Sequence, residues 1–328
     1  MSSLPLDVLR ALRQPGAALP GQVADEQLQD TLNDLASEAA LQSIDRDAYW
    51  PKWDSPWWRF SLLEEMGMVQ TASQATLEHL AQAVLAVPER RFPVPPAPDI
   101  DPLQAFCHCS LGNLYRILAS SGRPMGDFDW VLGWFRDYQM ADGGYNCDET
   151  AYAASGECPS SMVATVAALE AAILHPQGAE VARRAAHCLL GRELRMGSNT
   201  EHNREERASE SKWLQLAFPR FYHYDVLRGL EAVTRWALAF REPLAWSSLQ
   251  WVVESLLERF PAGVVAPERR AYEHHRSRFP DGSRGPARSF ALLEAISQPG
   301  LPSAPLTAQW NRVRGQLVEL HDSDLLGA

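Results

Sequence analysis

Two thiols and an imidazole lie at three consecutive positions, Cys107, His108 and Cys109. Thiolates and imidazoles bind zinc in proteins, usually as a set of four ligands. Side chains at neighbouring positions of a helix point about 100° apart, so this segment can give one ion only one or two ligands. The zinc site that the sequence suggests therefore joins His108 and Cys109 to Cys147 from a later segment. The alternative is that these thiols pack as small apolar groups, because cysteine is among the most buried residue types.

Further residues able to move a proton lie at His223 and Asp225. If the chain is extended there, the two side chains share a face and can act together, or complete a metal site with His108. If the segment is helical they point apart, and Asp225 then caps the next helix or pairs with Arg228. Both interpretations stay open on the sequence. The candidate catalytic residues are His223, Asp225 and His108.

Aromatic residues are the second resource of the chain, which has 11 tryptophans, four of them between positions 50 and 58. Tryptophan rings can line an apolar cavity and stabilise cations through their π faces. Most tryptophans, however, simply pack in the core. The candidate ligand-binding residues are Trp57, Tyr145, Tyr222 and Arg228.

The elements that must position these residues are helices, because apolar residues recur at helical spacing and no convincing strand pattern is present. Two helices are predicted near the N-terminus, at 6–12 and 23–41. Nearly all-apolar helices then alternate with amphipathic ones. The apolar helices are predicted at 55–66, 103–120, 160–174, 221–240 and 287–296. The amphipathic helices are predicted at 73–87, 128–138, 178–194, 243–260 and 306–320. Two long loops are predicted, a proline-rich one at 88–102 and a polar one at 195–212.

This alternation predicts two concentric rings of helices. A helix that is apolar all round must be buried, whereas an amphipathic helix can face water. We expect one all-α domain over residues 1–328, an α/α toroid of about six helix pairs, with residues 1–54 completing the ring. Inner helices of a toroid run parallel, so their N-termini meet at one end, where backbone N–H groups favour anions.

A sequence motif resembles a known repeat. Gln139-x-x-Asp142-Gly143-Gly144-Tyr145, with Trp134 and Phe135 upstream, is similar to the repeat of terpenoid cyclases and protein prenyltransferases. Tyr145 stands where that repeat has tryptophan. The stretch 213–225 also resembles bacterial proteins of the same toroid superfamily. The resemblance implies a helical toroid that acts on isoprenoids.

The catalytic motifs of that superfamily are not matched. Protein prenyltransferases bind zinc through an Asp, a Cys and a His, but their Asp-x-Cys pair is absent here; Cys147-Asp148 has the two types in reverse order. Squalene-type cyclases protonate an alkene with an acid from an Asp-x-Asp-Asp motif. The pairs at 45 and 47, 99 and 101, and 127 and 129 lack the second adjacent Asp. Direct polyene cyclisation is therefore disfavoured.

Composition narrows the partners. The formal net charge is −11, which gives no general attraction to nucleic acid. We expect no membrane span, since no apolar run is long enough, and no signal peptide, since a basic start and apolar region are missing. Five cysteines, an odd number, predict reduced thiols in the cytoplasm.

Two functions remain open on the sequence. The first is a prenyltransferase-like or terpenoid-cyclase-like protein that binds or transforms an isoprenoid or other apolar ligand, possibly with zinc, in the central cavity. The second is a non-catalytic toroid that binds a protein or peptide at its open end. Independently of function, Gly143 and Gly144 are expected to form a turn that requires a positive φ.

Overall fold

The computed structural model describes residues 4–19, 25–53, 55–87, 92, 106–273 and 275–327. Most of the predicted proline-rich loop, the pair Asp99 and Asp101, and His274 lie outside these ranges. No helix in the described ranges is long and apolar enough to cross a membrane.

The described residues are mainly helical, as predicted, and contain fourteen α-helices. In chain order these are α1 (Leu6–Leu12), α2 (Asp25–Leu35), α3 (Glu38–Asp47), α4 (Pro56–Glu65), α5 (Gln74–Leu85), α6 (His108–Ser120), α7 (Trp130–Tyr138), α8 (Met162–Leu174), α9 (Ala179–Gly191), α10 (Glu210–Trp213), α11 (Val226–Phe240), α12 (Trp246–Arg259), α13 (Ala291–Ile296) and α14 (Ala304–Asp322).

Three details differ from the sequence prediction. The single helix predicted at 23–41 is two helices, because Ser37 is extended and its side chain accepts a hydrogen bond from the N–H of Ala40, which starts α3. The polar segment at 195–212 contains a short 3₁₀ helix at Arg204–Ser209 and most of α10. Four short strands form two pairs: β1 (Leu244–Ala245) is parallel to β4 (Leu326–Gly327), and β2 (Arg276–Arg278) is antiparallel to β3 (Arg284–Pro286).

Four helices form the centre of the described structure. α4 packs against α6, α6 against α8, and α8 against α11. Helix α8, predicted as an inner helix, is buried along nearly its whole length and also packs against α9. The first turns of α4, α6 and α8 lie at one cavity, whereas residues further along the same helices meet in a buried ion network. These three helices therefore run in the same direction.

The ion network links these helices through charged side chains that are nearly excluded from water. Arg116 on α6 contacts Glu64 on α4 at 2.5 Å and Glu170 on α8 at 2.8 Å. Arg228 on α11 contacts Glu170 at 2.6 Å. Two guanidinium groups thus hold the pKa of Glu170 at about 2, against the opposing effect of burial.

The predicted turn after Gln139 has the expected backbone. Gly143 has φ +87°, and a Cβ atom there would lie 2.3 Å from the carbonyl oxygen of Arg184. Gly144 has no positive φ, but a Cβ atom would lie 2.4 Å from that of Ser160. The side-chain amide of Gln139 donates to the carbonyl oxygens of Gly143 and Val181 and fixes the turn against α9.

Replacing Gly143 by alanine should be strongly destabilising. Backbone strain costs about 1 to 3 kcal/mol and overpacking against Arg184 about as much again, so we expect a loss of about 2 to 5 kcal/mol in the free energy of unfolding. The control is Gly156→Ala, because Gly156 has φ +79° and no atom close to the added Cβ. Denaturant unfolding should show the larger loss for Gly143→Ala; equal losses would show that the close approach to Arg184 carries no energy.

The Glu170 carboxylate should dominate the acid sensitivity of the fold. Its folded pKa lies below the unfolded value of about 4.3, so its contribution is complete above that pH and is lost as the pH falls through 2, amounting to about 3 kcal/mol. Glu170→Gln leaves two buried arginines unpaired and should cost about 3 to 5 kcal/mol at neutral pH.

The control for Glu170→Gln is Glu180→Gln, which removes an exposed pair with Arg183 and should cost less than about 1 kcal/mol. Unfolding free energies measured from pH 7 to pH 2 check both points. A Glu170→Gln variant with the stability and pH slope of the native chain would contradict the importance of the network.

Candidate functional site

A cavity of about 510 Å³ lies where the first turns of α4, α6 and α8 come together. Trp57 represents α4, Ser110 represents α6, and Ala164 represents α8 in its wall. Backbone N–H groups in the first turn of a helix lack helical acceptors, so three such ends make this the most electropositive backbone region of the central helices. The volume is typical of small-molecule sites in proteins.

Three thiols lie together in the wall of this cavity. The sulfur atoms of Cys107, Cys109 and Cys147 all lie within 4.8 Å of one another, and those of Cys107 and Cys109 are 3.2 Å apart. Among the described residues they are the one group of three possible metal ligands with this spacing. All carry free thiols.

Cys107 owes its position to the start of α6. It is the N-cap residue and has an extended backbone, with φ −113° and ψ 159°. The sequence argument took neighbouring positions as helical, which would direct Cys107 and Cys109 to different sides. Because Cys107 precedes the helix, that argument was wrong and both sulfurs reach the same place.

Cys147 is brought to α6 by the glycine turn. Tyr145, two residues earlier, accepts a hydrogen bond at its carbonyl oxygen from the N–H of Ser161. The side chain of Asn146 is buried and donates to the carbonyl oxygen of Pro159 at 2.6 Å. The loop is thereby fixed at the start of α8, and the N–H of Cys109 lies 3.4 Å from the Cys147 sulfur as donor.

The cluster favours one negative charge. Hydrogen bonds from Cys109 and then Cys147 lower the pKa of the Cys107 thiol well below its usual range. The pKa values of Cys109 and Cys147 are raised, because each donates to the thiolate at Cys107. One thiolate held by two thiols, at a helix N-terminus, is a reactive arrangement.

Opposite the thiols, aromatic rings surround one cation. The ammonium group of Lys52 lies 4.4 Å from the centre of the Tyr222 ring and 5.4 Å from that of Trp50. It also donates to the hydroxyl of Tyr222 at 3.2 Å. Tyr49 completes this side, and burial, followed by the charge at Cys107, raises the pKa of its phenol. The predicted ligand-binding residues Trp57 and Tyr222 both line the cavity.

His108 does not line this cavity. Its Nδ1 accepts from the indole N–H of Trp134 at 2.9 Å, and its Nε2 lies 2.8 Å from the hydroxyl of Tyr152. Because an indole only donates, the proton of the neutral ring is on Nε2 and is given to Tyr152. Burial lowers the pKa of His108 to about 3, which keeps the ring neutral. With both nitrogens engaged, His108 is not available as the metal ligand that the sequence suggested.

The other two candidate catalytic residues are also outside the cavity wall. His223 stacks on Tyr222, with ring centres 4.3 Å apart, and burial lowers its pKa to about 3. Asp225 caps α11: its carboxylate accepts from the backbone N–H groups of Arg228 and Ala217 and from the guanidinium of Arg220. The capping interpretation of Asp225 therefore matches its contacts.

Two predicted ligand-binding residues have structural contacts instead. Tyr145 is fully buried and its hydroxyl donates to the carbonyl oxygen of Phe135. Arg228 is engaged with Glu170 in the ion network.

Sequence reasoning missed Lys52 and Tyr49. A usable signal existed, since Lys52 is the only lysine in an aromatic segment, 49–58, that directly precedes a helix start.

Searches of protein-family models, of curated proteins and of solved structures found no match to this chain. The site must therefore be interpreted from its own geometry.

The lowered pKa of Cys107 predicts its order of alkylation. In protein treated with a chelator, the rate of iodoacetamide reaction at Cys107 should reach half its maximum below about pH 8.5, the usual thiol value. Cys158 is the internal control, because burial raises its pKa. Peptide mass spectrometry after short reactions between pH 5 and pH 10 gives both midpoints. A Cys107 midpoint at or above that of Cys158 would contradict the shared thiolate.

Proposed function

We propose that this protein is a helical toroid that binds an isoprenoid or another apolar small molecule in the cavity at the first turns of α4, α6 and α8. The observation that carries the proposal is the cavity itself, about 510 Å³ in volume and walled by aromatic and aliphatic side chains beside three thiols. The side-by-side packing of α4, α6, α8 and α11 supports a ring.

The charges around the cavity indicate which part of a ligand is recognised. Lys52 and the helix N-termini favour a negative or electron-rich group near the thiols. Three carboxylates, Asp45, Asp47 and Glu149, also line the cavity and disfavour a multiply charged group. An apolar chain with a neutral or singly charged head group fits this balance better than a diphosphate.

The chemistry at the cavity argues for a thiol-centred reaction rather than for acid-initiated cyclisation. Asp45 forms an ion pair with His79, and Asp47 accepts from the backbone N–H groups of Tyr49 and Trp50. Neither is a carboxyl group isolated in an apolar pocket, as protonation of an alkene requires. The thiolate at Cys107 is the nucleophile in the wall, and prenyltransferase-like chemistry on an isoprenoid is consistent with it.

Binding of three probes tests this function: farnesol, farnesyl diphosphate and inorganic diphosphate, each followed by quenching of tryptophan fluorescence and by native mass spectrometry. We expect farnesol to bind at least as tightly as farnesyl diphosphate, and inorganic diphosphate alone to bind at least tenfold more weakly. Binding of inorganic diphosphate as tight as that of farnesyl diphosphate would contradict an apolar site.

The variant Val163→Trp, which fills the cavity from α8, should weaken farnesol binding at least tenfold. Leu301→Trp is the matched control, because Leu301 is 53% exposed and lies away from the cavity wall. Equal binding by both variants, or no binding of either isoprenoid to the native chain, would refute the proposed function and leave partner binding as the remaining hypothesis.

A further inference from the structure

We propose that Cys107, Cys109 and Cys147 form a zinc site whose fourth coordination position opens into the cavity. This inference goes beyond the binding of an apolar ligand and does not depend on it, because it stands on the three sulfur atoms and their surroundings. The donor set is three thiolates, which differs from the Asp, Cys and His of the prenyltransferases that the sequence resembles.

The spacing of the sulfurs fits one tetrahedral ion. Zinc–sulfur bonds are about 2.3 Å long, so two sulfurs on a tetrahedral zinc lie about 3.8 Å apart. In the structure the sulfurs of Cys107 and Cys109 are 3.2 Å apart, and no pair of the three is separated by more than 4.8 Å. Shifts of well under 1 Å at each sulfur therefore bring all three to bonding distance.

The surroundings compensate the charge that such a site carries. Zinc with three thiolates has a net charge of −1. Three features oppose it: the N-terminus of α6, the N–H of Cys109 directed at the Cys147 sulfur, and the ammonium group of Lys52 across the cavity. Lys52 is close enough to Cys109 to lower its thiol pKa.

The ligand type selects the metal. Thiolates are soft ligands that bind zinc, copper(I) and related ions, whereas magnesium, calcium and manganese prefer oxygen. Zinc is the divalent ion of this class that uses three protein ligands and one exchangeable ligand in catalytic sites. His108 cannot supply the fourth ligand, because both of its nitrogens have partners. All three cysteines line the cavity, so water or the head group of a bound ligand takes that position.

Two bland interpretations compete with a metal site. Buried thiols can pack as apolar groups, and two neighbouring thiols can oxidise to a disulfide. Apolar packing explains one sulfur in a wall but not three converging on one point beside a lysine. A disulfide would use only two of the three sulfurs.

The test uses the full chain and zinc itself. Purified protein should hold one zinc per chain by elemental analysis, and a chelator competition should give its affinity. Cys107→Ser, Cys109→Ser and Cys147→Ser should each weaken binding more than about 100-fold, since loss of a group that merely orients a ligand already costs about 10- to 100-fold. The matched control is Cys158→Ser, a free thiol outside the cluster, which should keep native affinity.

A second measurement on the native chain keeps the test valid if the variants do not fold. Zinc should protect Cys107, Cys109 and Cys147 from alkylation and leave the labelling of Cys158 unchanged. Cobalt in place of zinc should give the near-ultraviolet charge-transfer absorption of thiolate ligands. Equal labelling with and without zinc, retention of zinc by all three variants, or a mass loss of two hydrogens that locates a disulfide within the cluster would each overturn the proposal. Because no isoprenoid is involved, failure here is distinguishable from failure of the proposed function.

Discussion

The buried pairing of Glu170 with Arg116 and Arg228 is the constraint on which the central helices depend. Charges excluded from water are tolerated only when each has a partner, so α6, α8 and α11 must keep a fixed axial position relative to one another. Arg116 extends the same constraint to α4 through Glu64. Once the middle of these helices is fixed, their first turns are level at one end, and the cavity is the space between them.

The loops that reach the cavity are held in the same way. Glu65 accepts from the backbone N–H groups of Arg220 and Phe221, which directs Tyr222 to the cavity wall. Asp225 closes this loop by capping α11. On the other side, the glycine turn and Asn146 position Cys147. The thiols and the lysine therefore meet because several buried polar contacts each fix one segment.

The sequence predicted the helices well, because apolar periodicity reports burial directly. It also predicted the positive φ of Gly143. It did not predict the break at Ser37, where a cap overrides a continuous helical pattern. The site was harder to predict. His108 looked like a ligand from its neighbours in sequence, but Trp134 and Tyr152 occupy both ring nitrogens. Conversely, Cys107 was undervalued because its extended backbone is a property of the helix start, which spacing alone does not reveal.

The central claim is that parallel helix starts bring three cysteines to one point beside a ligand-sized cavity. A crystal structure of the full chain grown with zinc, with anomalous diffraction measured at the zinc edge, tests this most directly. The account predicts one anomalous peak about 2.3 Å from the sulfur atoms of Cys107, Cys109 and Cys147, with the cavity open beside it. Three sulfur atoms far apart, or a zinc peak bound elsewhere with none at the cluster, would contradict it.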